Sequence, residues 1–176
     1  MSDIYNINTC ILIDAINYYT SLGYKPISVP MLVESSINAL TTPKGVECKK
    51  HLDLEYVGSA EQSFLQMIKN RELENGKYFA ITPCQRGDLP DESHLEIFLK
   101  LELICIGEDC SERVVKEALQ FFKKYGDFNI VNTNIGFDIE NPRGVEVGSY
   151  GVREFFGVKY TYGTGVALPR ISYALK

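Results

Sequence analysis

Tryptophan is absent, methionine occurs three times, and histidine occurs only at His51 and His94. So few imidazoles argue against histidine-based acid–base catalysis and against a histidine-rich metal centre. Cys10, Cys48, Cys84, Cys105 and Cys110 are an odd number of cysteines without a CxxC pair. They read as buried, reduced thiols, not as a zinc motif or a disulfide framework. Positive charge is also short: 18 Lys and Arg stand against 23 Asp and Glu, a net charge of −5. That excludes a general nucleic-acid binder held by bulk positive charge. No apolar run approaches the roughly 20 residues of a membrane span. Met1 is not followed by a basic segment, an apolar segment and a cleavage site. These absences predict a cytoplasmic protein without a membrane partner.

What is present is ordinary globular material. The chain has 176 residues, 45% hydrophobic and 23% charged. That is enough for a single domain with a core that needs no disulfide or metal to hold it. Charge is distributed unevenly. Asp88 to Glu112 carries eight acidic residues against Lys100 alone, while Arg143 to Lys176 carries five basic residues against Glu146 and Glu154. A solvated surface accounts for much of this, and a site for a polyanion with its metal ions would use the same pattern.

Periodicity supplies the elements. Ile7 to Leu22 reads as a helix with two apolar stripes, Ile11, Ala15, Tyr18 and Leu22 on one, Leu12, Ile16 and Tyr19 on the other. Gly23 closes it. Two apolar stripes imply burial on two sides, the second either against a partner subunit or wholly within the chain. Tyr24 to Val29 reads as an edge strand because it contains Pro26. Ser59 and Gln62 form a capping-box pattern at the start of a second helix. Lys77 to Gln85 and Leu95 to Ile106 read as a long hairpin, and Ser111 as the cap of a third helix. Strands over 130–139, 144–152 and 157–162 follow, then a short helix near Pro169 to Leu175. Hairpins between separated helices predict an α+β fold with a mainly antiparallel sheet.

Some residues fit no structural need. One face of the second hairpin strand carries Leu95, Ile97, Leu99, Leu101 and Leu103, a core stripe. The other carries Glu96, Phe98, Lys100 and Glu102, a charged face with one aromatic ring. Phe98 is either surface scatter or a platform for a flat ligand with charges around it to read its polar edge. Arg86, where the first hairpin strand ends, suits bidentate phosphate contact. Gly163-Thr164-Gly165 leads through Pro169 to Arg170 in the first turn of a helix. A cation there is unfavourable alone but sensible beside a phosphate, which helix N-termini favour. Glu146 to Arg153 reads as a strand containing Gly148 and Gly151, where a ligand or another backbone comes close. Glu146 offers oxygen to a divalent ion such as Mg2+.

In content and order these motifs resemble the catalytic domain of class II aminoacyl-tRNA synthetases, in a minimal form without an anticodon-binding domain. Ile7 to Pro30 looks like motif 1, Phe79 to Glu102 like motif 2, and Gly163 to Leu175 like motif 3. The run from Ser93 to Phe98 and the helix after Cys110 look most like the pyrrolysyl and phenylalanyl α-type branch, with the lysyl branch next. The resemblance implies an antiparallel sheet flanked by helices, with ATP and Mg2+ as cofactors. It puts Arg86 on the α-phosphate, Arg170 on the γ-phosphate, Asp88 and Phe98 at adenine, and Gly165 beside the nucleotide. Arg86 and Arg170 would be the catalytic pair. Glu146 and Ser149 would hold the metal. Ser59, Glu61, Glu102 and Gly148 would meet the amino acid, Glu61 through its α-amino group. The implied activity is aminoacyl-adenylate formation, with tRNA or another acceptor, in a homodimer joined through the motif 1 helix. The sequence departs from the family at Ala167-Leu168-Pro169-Arg170, where an acidic residue or glycine usually precedes the arginine. A catalytically silent paralogue and an amide-forming ligase of the asparagine-synthetase type share the fold and remain as alternatives.

Overall fold

A computed structural model describes residues 7–43, 45–87 and 95–176. Asn8 caps α1 (Thr9–Ser21) by accepting from the Ile11 N–H at 3.3 Å. Gly23, at φ +84°, ends it, because only glycine takes that conformation without strain. β1 (Lys25–Pro26) follows, inside the edge strand expected over Tyr24 to Val29, and then a segment the sequence left unassigned: β2 (Leu32–Glu34), α2 (Ser35–Asn38), β3 (Lys50–His51) and β4 (Leu54–Tyr56). Then come α3 (Ala60–Lys69), β5 (Gly76–Gln85), β6 (Ile97–Ile106), α4 (Ser111–Phe122), β7 (Asn129–Thr133), β8 (Gly136–Glu140), β9 (Glu146–Phe155), β10 (Val158–Leu168) and α5 (Arg170–Ala174).

Seven strands form the main sheet in the order β1-β5-β6-β10-β9-β8-β7. Every pairing is antiparallel except β1 with β5. Pro26 has the edge position expected of a residue that cannot donate to a ladder. The other three strands, β2-β4-β3, make a small separate sheet. The fold is therefore α+β with a sheet dominated by antiparallel pairs.

Strand alternation divides β6 between two apolar clusters. Leu101, Leu103 and Cys105 point to a cluster shared with α1, α4 and α5. Ile104 and Ile106 point to a second cluster under α3. Only Leu101 and Leu103 of the expected core stripe are fully buried; Ile97 is 62% exposed. The helix α1 needs no partner for its second stripe, since Leu12 and Ile16 pack on the same cluster as Ile11 and Ala15. The strand expected over 130–139 is a hairpin, β7 and β8, with Asn134 and Ile135 between its arms. The residue at the N-cap of α4 is Cys110, not Ser111, and its side chain makes no capping bond.

One irregularity sets the end of the sheet. The β10–β6 register pairs Thr164 with Glu102 and Val166 with Leu101, so Gly165 is the extra residue of a bulge. The bulge reverses the alternation of β10. Tyr160 and Tyr162 face the α3 side, but Val166 and Leu168 face the α1 side. A Cβ on Gly165 would lie 2.3 Å from Leu101 Cδ2 and 3.0 Å from the Tyr19 ring. The Tyr19 hydroxyl donates to the Gly165 carbonyl at 3.0 Å. We expect Gly165→Ala to destabilise the fold by about 1–3 kcal/mol through overpacking, read as a lower midpoint in urea unfolding.

Candidate functional site

The helix α3 covers only part of the sheet. Beyond its N-terminus, the face of β6 carrying Phe98, Lys100 and Glu102 opens into a cleft of about 250 Å³. The ends of β5, β9 and β10, the start of α5 and the loop through Thr42 and Cys48 complete its walls. That loop is tied back by two bonds: Gln85 accepts from the Lys49 N–H at 2.7 Å, and the Gly87 N–H donates to Glu47 at 2.8 Å.

Of the residues singled out in the sequence, Arg86, Phe98, Arg170, Glu146, Ser149, Gly148, Ser59, Glu61 and Glu102 all line this one cleft. Asp88 lies outside the described residues. Gly165 does not line it, which corrects the expectation of a nucleotide contact there. Its lack of a side chain serves the close approach of Leu101 and Tyr19. Gly148 serves packing too, since a Cβ there would lie 2.5 Å from the Tyr150 hydroxyl.

Arg86 is held at the rim. Its Nε donates to the Gly58 carbonyl at 2.9 Å, and its guanidinium carbon lies 5.4 Å from the Phe98 ring centroid. Cation and ring thus form a half-exposed platform. On the floor, Glu102 is engaged within the protein. It accepts from the Ser59 hydroxyl at 2.6 Å, from Lys100 Nζ at 2.7 Å and from the Ala60 N–H. The Ala60 and Ser59 bonds satisfy the first turn of α3, where a carboxylate is favoured. Gln62 completes the capping box by accepting from Ser59 N at 3.2 Å and Gly58 N at 2.7 Å.

Glu61 is also already paired. It accepts from Arg153 Nη1 at 2.6 and 2.7 Å and from the Tyr160 hydroxyl at 3.0 Å. Burial pushes its carboxyl above the ordinary value, against the pull of Arg153. Burial also works against the Arg153 charge, but Glu61 more than offsets it and the guanidinium is raised. The Arg153 guanidinium stacks 4.2 Å from the Tyr162 ring centroid. Sequence reasoning missed Arg153. The signal was the period-two pair of Ser149 and Arg153, which puts Arg153 on the same strand face as a residue already singled out.

Glu146 and Ser149 present oxygen donors to the cleft, the donor type Mg2+ takes. Among the described residues, Glu146 belongs to no group of three potential metal-ligating side chains. An ion held there would take most of its ligands from outside the chain, as Mg2+ commonly does. Among the described residues, no helix is long and apolar enough to cross a membrane.

No protein-family model matches the sequence, and no curated protein is similar to it in sequence. Solved structures are similar in fold. A pyrrolysyl-tRNA synthetase from Desulfitobacterium hafniense superposes with a TM-score of 0.73 at 14% identity, over 92% of this chain and 66% of that one. The seryl-tRNA synthetase from Pyrococcus horikoshii, complexed with ATP, gives 0.78 at 17% identity, over 99% of this chain and 51% of that one. The cytoplasmic serine-tRNA ligase from Naegleria fowleri, in complex with AMP, gives 0.72 at 14% identity, over 99% and 49%. The chain thus spans from about half to just under two thirds of these three proteins. Its antiparallel sheet and flanking helices are those of a class II aminoacyl-tRNA synthetase-like fold.

Proposed function

We propose that the chain activates an amino acid with ATP, forming an aminoacyl-adenylate and pyrophosphate, and passes the aminoacyl group to tRNA or another acceptor. The observation that carries this reading is the convergence of Arg86, Phe98 and Arg170, distant in sequence, on one cleft beside Glu146. The same set favours activation over a silent paralogue, which has no need of a complete phosphate grip. Two similar structures, with ATP and with AMP, make a nucleotide the natural occupant.

In this reading Phe98 stacks on the base and Arg86 and Arg170 hold opposite ends of the triphosphate. Mg2+, held by Glu146 and Ser149, would supply charge neutralisation between phosphates. A carboxylate oxygen of the amino acid attacks the α-phosphorus, and the bond to the bridging oxygen of pyrophosphate breaks. Arg86 stabilises the charge that develops on the α-phosphate, and Arg170 that on the leaving group. The protein contributes positioning and preorganised charge, which explains how it manages with two histidines. Ser59 and Glu61 lie at the amino-acid end. Because Arg153 already pairs with Glu61, it sets how strongly Glu61 can attract an α-amino group. A cytoplasmic setting and a homodimer joined through α1 belong to the same proposal. Ile7 and Ile13, both more than half exposed, are the apolar side chains available there.

Amino-acid-dependent ATP–pyrophosphate exchange tests the reading. We expect exchange without tRNA, and Arg86→Ala or Arg170→Ala to lower its kcat/KM by about 10²–10³. ATP binding in the absence of exchange with any amino acid would instead establish a ligand-binding paralogue, and ammonia-dependent amide formation an asparagine-synthetase-type ligase. Glu61→Gln should raise the KM for the amino acid more than that for ATP. It should also cost about 1–3 kcal/mol of stability by leaving Arg153 without its anionic partner, a loss that Glu61→Gln combined with Arg153→Met partly reverses in denaturant unfolding. Sedimentation at micromolar concentration should find a dimer that Ile13→Asp converts to a monomer; a wild-type monomer rejects the α1 interface.

A further inference from the structure

Away from the cleft, at the junction of β6 and α4, Cys105, Glu108 and Cys110 bring two sulfurs and a carboxylate oxygen within 4.8 Å of one another. In the sequence these residues form no metal motif. The chain brings them together by turning at Gly107, whose φ of +91° suits glycine alone. Cys105 ends the apolar face of β6, and Cys110 occupies the N-cap of α4 without capping it. A serine, aspartate or asparagine is the usual choice at that position, so a thiol there serves another purpose. The turn is fixed from beneath by Thr161, which pairs with Cys105 in the β10–β6 register. Its hydroxyl accepts from the Cys110 N–H at 2.9 Å and donates to the Glu108 carbonyl at 3.1 Å.

We propose that Cys105, Glu108 and Cys110 form a binding site for a single thiophilic divalent cation of the zinc class, linking the end of β6 to the start of α4. Metal–sulfur bonds of about 2.3 Å and metal–oxygen bonds of about 2.1 Å put tetrahedral ligand atoms about 3.5–3.8 Å apart. The three atoms must draw in to that from a present spacing within 4.8 Å, and the Glu108 side chain is half-exposed. Two thiols release their protons on binding. Two thiolates and one carboxylate carry three negative charges; the cation and Arg113 together balance them. Arg113 Nη2 donates to Glu108 Oε1 at 2.7 Å, the outer hydrogen bond that orients a ligating carboxylate. Three protein ligands leave the fourth position to water. None of the three lines the cleft, so the site stands or falls independently of amino acid activation.

The test is titration of the reduced full-length protein with Zn2+ alone and with Cd2+ alone. We expect one ion per chain, a sulfur-to-cadmium charge-transfer band, protection of two of the five thiols from a thiol reagent, and a raised melting temperature with Zn2+. Cys10→Ser combined with Cys48→Ser removes the more accessible thiols and should leave the band unchanged. Cys110→Ser should abolish it. Glu108→Gln, an exposed change that leaves both thiols in place, should keep the band and weaken Zn2+ binding about tenfold or more. A band that survives Cys110→Ser, no band at all, or Zn2+ affinity unaltered by Glu108→Gln overturns the proposal.

Discussion

The architecture of the cleft depends on how α3 begins. A buried carboxylate must find donors, and Glu102 finds three: the Ser59 hydroxyl, the Ala60 N–H and Lys100. Two of them belong to the first turn of α3, so the strand and the helix fix each other. On one side of that contact, Ile104 and Ile106 of β6 are covered by α3 and become core. On the other, Lys100 and Phe98 of the same strand face are left uncovered and become the cleft. One alternating strand thus serves as core and as binding surface, and the position of a helix start decides where one ends and the other begins.

The bulge at Gly165 does the equivalent work on the neighbouring strand. Before it, Thr164 faces the cleft opposite Glu102; after it, Ala167 does so opposite Lys100, although the two residues have opposite parity. Without the extra residue, Val166 and Leu168 would turn toward the cleft and Ala167 toward the core, because a shift of one residue exchanges the faces of a strand. Arg170 follows two residues after Leu168. The packing of Gly165 on Leu101 and Tyr19 therefore bears on the site from a distance, as a determinant of register and not as a contact.

This explains what the sequence could and could not reveal. The alternation of 95–106 was legible because its two faces differ in chemistry, and so were the capping box at Ser59 and the edge position of Pro26. Gly165 stood out as a glycine, but a glycine beside a ligand and a glycine in a bulge leave the same trace in one dimension. The second stripe of α1 was visible while its partner was not; the core that covers Leu12 and Ile16 comes from elements far along the chain. Residues 31–58 gave no periodicity because their strands are two or three residues long, too short to show a repeat. Arg153 stayed unremarked because its partner, Glu61, lies 92 residues away.

Burial also determines which charges in the cleft can act on a ligand. Glu61 and Glu102 are nearly inaccessible, at 7% and 5% exposure. A carboxylate so placed without a partner would cost several kcal/mol, so Arg153 and Lys100 are bound to be close. The floor is neutralised from within. The rim is under no such requirement: Arg86, Arg170 and Glu146 are half-exposed, and water screens what the protein leaves unpaired. Among the described residues, neither Arg170 nor Glu146 is in an ion pair. The charges left open to a ligand are therefore those of the rim, Arg86, Arg170 and Glu146, while the pairs beneath are balanced. A net charge of −5 does not oppose this, because the potential inside a cleft is set by the nearest unpaired groups, not by the sum over the molecule.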